Sequence, residues 1–120
     1  MRYLLMIFSN EADEMNMSPE DMGQLMAEYG RFSEEVNAAG VHEGGERLRP
    51  TSDATTVRVR DGQTSTTDGP FAETKEAFGG YYMIDVPNLD EAIAWAAKIP
   101  SAKHGTVEIR PIWEMEEPQG

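Results

Sequence analysis

The stretch that decides the fold is Arg2-Tyr3-Leu4-Leu5-Met6-Ile7-Phe8, close to the start of the chain. Successive side chains of a strand point to opposite faces. The two faces would here carry Tyr3, Leu5 and Ile7 on one side and Leu4, Met6 and Phe8 on the other. Apolar residues on both faces are typical of a central strand that is covered on two sides. We therefore predict a central strand over residues 2–8.

A long helix is predicted to follow Ser18. Ser18 is a good N-cap, Pro19 suits the first helical position, and Asp21 supplies an acidic partner three residues after the cap. One apolar stripe then recurs at helical spacing, formed by Met22, Leu25, Met26, Tyr29, Phe32 and Val36. The pattern predicts a helix over residues 19–39, ended by Gly40. Because Gly23 and Gly30 each cost about 1 kcal/mol in helix propensity, packing or a close approach must hold the helix there.

Further elements are indicated by caps, turns and alternation. Residues 88–99 predict a second helix, which begins at an Asn88 cap and ends before Pro100. Strands are predicted over residues 55–60, 63–67, 81–86 and 106–113, with Asp61-Gly62 joining the first two as a tight hairpin and Pro111 placing the last at an edge. Residues 41–48 contain Gly44-Gly45 and are predicted to be irregular, and residues 10–16 are polar and acidic with no predicted element.

The order of these elements predicts an α+β fold with a ferredoxin-like, split βαβ sheet and both helices on one face. Two helices cover one face of the sheet, whereas residues 2–8 are apolar on both. A contiguous apolar patch is seldom left bare on a soluble monomer. A second copy packed sheet against sheet would cover it, which predicts a homodimer that forms a dimeric α+β barrel.

Composition narrows the classes of function. The 120 residues fit a single domain over residues 1–120, and the formal net charge of -12 argues against nucleic acid and anionic membranes as partners. The chain has no cysteine and two histidines, so we predict neither thiolate chemistry nor a metal site. Neither glycine pair opens a phosphate loop, and no cofactor is predicted. Lacking a leader-like start or an apolar run near ~20 residues, the chain is predicted to be cytoplasmic.

The run Asp68-Gly69-Pro70-Phe71-Ala72-Glu73-Thr74-Lys75-Glu76 resembles the signature of the DGPF proteins, a branch of the YCII-related family. The resemblance extends over nearly the whole chain and implies the dimeric α+β barrel. The activity of this family is largely unassigned, although its wider membership is thought to use a histidine early in the first helix together with an aspartate. Asp68 matches that aspartate, but residues 19–39 contain no histidine, so the pair is incomplete here.

Several side chains are candidates for a site. Asp68 is the candidate catalytic residue, or a turn residue that caps its own backbone. Glu73 and Lys75 beside it are candidate ligand contacts, or only a solvated charged face. Arg58 and Arg60 share one strand face, which suits a carboxylate or phosphate, or else protects a sheet edge. His42 is a further candidate for binding, or a structural histidine beside Glu43.

Two classes of function follow, and the sequence leaves open whether the protein is an enzyme. The first is an enzyme or ligand-binding dimer that holds a small, anionic molecule in a cleft near the Asp68-Gly69-Pro70-Phe71 segment. The second is a non-catalytic regulatory module, because the resemblance implies association with an extracytoplasmic-function sigma factor. A cofactor-independent monooxygenase is a third option, on analogy of fold alone.

Overall fold

The computed structural model describes residues 1–115 as an α+β fold. Its strands are β1 (Arg2–Ser9), β2 (His42–Arg47), β3 (Thr55–Arg60), β4 (Gln63–Asp68), β5 (Ala77–Asp85) and β6 (Thr106–Pro111). Its α-helices are α1 (Glu11–Met15), α2 (Pro19–Ala38) and α3 (Leu89–Ala97), and 3-10 turns occupy Thr51–Asp53 and Pro100–Lys103. Within residues 1–115, no helix combines the length and the apolar character that crossing a membrane requires.

Four strands form an antiparallel sheet in the order β2-β5-β1-β6, which is compatible with a ferredoxin-like fold. The predicted central position of β1 is confirmed, because Leu5 pairs with Tyr82 of β5 on one side and with Ile109 of β6 on the other. β6, with Pro111 as its last residue, lies at the edge of the sheet, as predicted.

The two faces of β1 are buried to different degrees. Tyr3, Leu5 and Ile7 are buried in the core. Helices α2 and α3 contribute to the same cluster through Phe32, Val36, Ala92 and Ala96, so both helices cover this face. Leu4, Met6 and Phe8 point to the opposite face and are only half-buried. The apolar stripe and the Ser18 cap of α2 are confirmed, since the Ser18 hydroxyl accepts a hydrogen bond from the Asp21 N–H.

The irregular segment predicted over residues 41–48 is wrong, because residues 42–47 form edge strand β2. Gly45 lies so close to β5 that a Cβ atom there would sit 2.7 Å from the Tyr81 carbonyl oxygen. Gly45 therefore permits strand pairing at close range, and the register of β2 against β5 shifts only between His42 and Gly44. Strand β5 also begins earlier than predicted, at Ala77.

Residues 10–16, for which no element was predicted, contain the short helix α1. Asn10 caps it by accepting a hydrogen bond from the Asp13 N–H. A helix of five residues is too short to show an apolar repeat, so only its cap could have indicated it.

The predicted hairpin is confirmed and projects from the sheet as an arm, defined as residues 55–68. Asp61 and Gly62 both have positive φ, 52° and 75°, as a tight two-residue turn requires. Every residue of the arm except Thr56 is exposed. The chain consequently measures 48 × 48 × 19 Å, and its radius of gyration of 16.9 Å exceeds the roughly 14 Å expected of a compact chain this long.

The two glycines inside α2 give a first prediction. A Cβ atom at Gly23 or Gly30 would meet no described heavy atom within 4 Å, so the helix is held by its packed stripe and not by a close approach at these positions. Gly30→Ala should raise the free energy of unfolding by about 0.5–1 kcal/mol. Gly45→Ala should lower it, because the added methyl group collides with backbone. Thermal and urea denaturation of both variants would measure this, and a destabilised Gly30→Ala protein would contradict the first expectation.

Candidate functional site

A cavity of about 400 Å³ lies between α2 and the strands β2 and β5, and we call it the α2 cavity. Its volume falls within the range of small-molecule sites. Apolar side chains along it include Ile7, Met22, Leu25 and Met26. Polar and charged residues border it from several elements: Ser9, Glu14, Tyr29, Ser33, Asn37, His42, Glu46, Arg47, Tyr82 and Ser101.

The cavity exists because glycines replace larger side chains on β2 and β5. Gly45, Gly79 and Gly80 border it, and none of them fills the space beneath α2. Gly45 and Gly80 are required by the close pairing of the two strands, since a Cβ at Gly80 would lie 3.0 Å from the Glu46 carbonyl oxygen. At Gly79 a Cβ would meet no described heavy atom within 4 Å, which shows unfilled space. The backbone pairing that forms the sheet thus also opens the cavity.

Two hydroxyl groups meet at one end of the cavity, where the Tyr29 Oη and Ser101 Oγ atoms lie 2.6 Å apart. Tyr29 comes from the apolar stripe of α2, and Ser101 is buried in the turn after Pro100. Burial raises the pKa of the Tyr29 phenol, and the charges of Tyr82 and Glu14 add to this, whereas the hydrogen bond to Ser101 opposes it. Tyr29 therefore presents a protonated hydroxyl group near neutral pH.

A carboxylate borders the same cavity. The buried Ser9 hydroxyl at the end of β1 donates a hydrogen bond to Glu14 Oε1 at 2.7 Å. Helix α1, which carries Glu14, is anchored at its other end because Glu11 accepts hydrogen bonds from the Thr51 N–H and Oγ1 at 3.2 Å. Glu14 and Arg47 also border an adjoining hollow of about 490 Å³. Two anchored contacts thus place this carboxylate at the junction of the cavity and the hollow.

His42 lies in the wall of the α2 cavity, at the start of β2. Its ring packs edge-on to Tyr82, with centroids 6.1 Å apart, and Tyr82 in turn packs on Phe32 at 4.9 Å. The Tyr82 hydroxyl lies 3.5 Å from Ser33 Oγ on α2. These aromatic contacts fix the wall formed by β5.

Asp68 and Glu73 border a separate, shallow hollow of about 530 Å³, formed by the loop between β4 and β5 together with Thr51 and Ser52. Both carboxylates are exposed. The Gly69 N–H donates to the Ala54 carbonyl at 2.7 Å, and the Gly69 carbonyl accepts from Thr56 Oγ1 at 2.8 Å. Gly69 has a positive φ of 98°, so the segment turns tightly at the base of the arm.

The other predicted site residues lie apart from this hollow. Lys75 is exposed in the loop, and Arg58 and Arg60 are exposed on the arm, on the face opposite Val57 and Val59. Arg60 Nη1 donates to the neighbouring Val59 carbonyl at 3.1 Å. The structure thus brings Asp68 and Glu73 together and leaves both arginines and His42 elsewhere.

Sequence reasoning missed Glu14, Ser9 and Ser101 as site residues, and it assigned Tyr29 only to the apolar stripe. The Asn10 cap was the single local signal for the helix that carries Glu14. Within residues 1–115, no group of three or more histidine, cysteine, aspartate or glutamate side chains is arranged to hold a metal ion.

The structure is an α+β domain with a partly open cavity beside its sheet, and comparison with known proteins gives its family. The model of the YCII-related domain matches residues 1–116. An uncharacterized protein of Rhizobium meliloti (strain 1021) is 35% identical over 114 residues, covering 93% of this chain and 92% of that protein. The chain belongs to the YCII-related family. Its placement in the DGPF branch stays a prediction.

The Tyr29 phenol gives a prediction about alkaline pH. The fold raises the pKa of this group above its ordinary value of 10.0, so its contribution to stability is present below pH 10 and is lost as pH rises through the folded-state pKa. Urea denaturation at pH 8 and pH 11 should show a smaller loss of stability in Tyr29→Phe than in the unmodified protein. Tyr3→Phe, which also removes one phenol and lies outside the α2 cavity, is the control. Equal losses in the unmodified protein and Tyr29→Phe would contradict the expectation.

Proposed function

We propose that this YCII-related protein binds a small organic molecule in the α2 cavity. The observation that carries the proposal is a cavity of about 400 Å³ with apolar walls and a few anchored polar groups, which is the usual composition of a ligand site. A hydrogen bond joins the Tyr29 and Ser101 hydroxyl groups at one end of the cavity, and the Ser9 hydroxyl donates a hydrogen bond to Glu14 elsewhere in its wall. Such fixed groups orient a ligand at little entropic cost.

The α2 cavity suits a ligand better than the hollow at Asp68, where the sequence had placed the cleft. Asp68 and Glu73 are exposed, so water screens their charges. In the α2 cavity, Ser9 and Ser101 are buried and Glu14 and Tyr29 are half-buried, so a hydrogen bond from these groups to a ligand gains from the lower effective dielectric. Within a single copy of the chain, we therefore assign the site to the α2 cavity and regard Asp68 as a turn residue.

Filling the cavity tests this assignment. Ser33 lines the cavity, and its hydroxyl group approaches Tyr82. In Ser33→Phe, the phenyl ring that replaces the small serine side chain would occupy the space that a ligand needs. Ala27→Phe, at an exposed position of α2 away from the cavity, is the matched control. Ligand-observed NMR with a library of one-ring fragments should detect binding to the unmodified protein and the control, and at least ~10-fold weaker binding to Ser33→Phe.

Two results would contradict the assignment. One is a library in which no fragment binds the unmodified protein. The other is binding that Ser33→Phe, verified as folded by circular dichroism, leaves unchanged.

We further propose that the protein functions as a homodimer whose subunits meet at the open face, defined as Leu4, Met6, Phe8, Phe78, Tyr81 and Met83. These residues share the side of the sheet opposite α2 and α3. Phe8 and Phe78 already stack with ring centroids 5.6 Å apart. A contiguous apolar surface on a layer only 19 Å thick favours a second copy packed against it. The arm, with Val57 and Val59 exposed, would add contact area at the rim.

Adjacent residues of β1 separate this interface from the core. Met6→Glu places a charge on the open face and should give a folded monomer or a much weaker dimer, because it leaves the core untouched. Leu5→Glu places the charge at a fully buried position and should unfold the chain. Sedimentation velocity at micromolar concentration, together with circular dichroism, distinguishes the two. A folded monomer from the unmodified protein under the same conditions would refute the dimer.

A further inference from the structure

We propose that the ligand of the α2 cavity is an organic cation, an amine attached to an aromatic or apolar body. This inference rests on the proposed function, because it names the chemical class bound at the same site. The geometry that points to it is an anchored carboxylate, Glu14, beside two aromatic rings and an apolar wall.

Two carboxylates, Glu14 and Glu46, border the cavity. Glu46 is exposed, whereas Glu14 is half-buried and still has free acceptor positions. Its Oε1 atom accepts one hydrogen bond, from Ser9. Among the described residues, Glu14 forms no ion pair, whereas Asp85, Glu35, Asp53 and Glu114 each have a cationic partner. A carboxylate has about four acceptor positions, so most of those on Glu14 are open to a ligand. Burial is the main cause that raises the pKa of the Tyr29 phenol, and the charge of Glu14, which borders the same cavity, adds to it.

The remaining walls suit the body of such a ligand. The rings of Tyr29 and Tyr82 border the cavity, and the face of an aromatic ring attracts an ammonium group. Met22, Leu25 and Met26 supply an apolar wall that adapts to an alkyl or aromatic group. A charge-assisted hydrogen bond to Glu14 would then fix the amine end.

Arg47 is the group that would favour an anion instead, since it also borders the cavity. Arg47 is exposed, and its charge is therefore screened by water and salt. The chain as a whole carries a formal net charge of -12, which concentrates cations near its surface and repels anions. The half-buried Glu14 carboxylate and the negative electrostatic field of the whole chain both attract a cation, so together they favour an amine as the ligand.

Three probes of similar size separate the classes: phenethylamine as the cation, 2-phenylethanol as the neutral analogue and 3-phenylpropionate as the anion. Isothermal titration at pH 7 in 150 mM salt should give a Kd for phenethylamine at least ~10-fold lower than for 2-phenylethanol, as expected of one charge-assisted hydrogen bond. The anion 3-phenylpropionate should bind most weakly of the three.

Glu14→Gln tests the residue itself. Its amide oxygen can still accept the hydrogen bond from Ser9, so the variant should fold and lose the preference for phenethylamine over 2-phenylethanol. Asp13→Asn removes the same charge from an exposed position of α1 and should keep the preference. Retention of the preference by Glu14→Gln overturns the role of Glu14.

The outcomes also separate this inference from the proposed function. Binding of 2-phenylethanol or 3-phenylpropionate as tightly as phenethylamine overturns the amine class and leaves ligand binding in the α2 cavity supported. No binding of any probe at millimolar concentration counts against both.

Discussion

The position of β1 between β5 and β6 is the constraint on which the rest of the structure depends. Its backbone pairs on both sides, and its face with Tyr3, Leu5 and Ile7 provides the surface that α2 and α3 cover. Leu5 is fully buried, as is Ile84 on the neighbouring β5. Each such side chain contributes about 1.5–3 kcal/mol by leaving water. The helices are therefore held to the sheet mainly by this face. The position of α2 on the sheet in turn sets the geometry of the α2 cavity.

The α2 cavity is a departure from close packing within this arrangement. A folded chain normally fills its interior, because unfilled space forfeits dispersion contacts. Here Gly79 leaves room where most residues would place a side chain, and α2 spans the gap with methionines and polar groups. Anchoring of Glu14 by Ser9 and of Tyr29 by Ser101 keeps the polar groups in place around the space. A stabilising core would be filled, so the open space favours a role in binding.

The most recognisable motif of the chain lies outside that cavity. The segment from Asp68 to Glu76 connects the arm to β5, and Gly69 turns the chain sharply at its start. Hydrogen bonds from Thr56 to the Gly69 carbonyl and from Thr106 to Glu76 tie its two ends to neighbouring strands. The motif thus directs the arm away from the sheet and sets the beginning of β5.

The sequence by itself determined the elements whose causes are local. The Ser18 and Asn88 caps, the apolar stripe of α2 and the Asp61-Gly62 turn depend on neighbours within a few residues, and the two-faced pattern of β1 indicated its central position. Only the tertiary structure decided that Gly44-Gly45 belongs to a strand, because β5 supplies the pairing that local propensity does not indicate. It also decided which residues form the candidate site. Tyr29 and Ser101 are 72 residues apart in the chain, and only the packing of α2 onto the sheet brings their hydroxyl groups together.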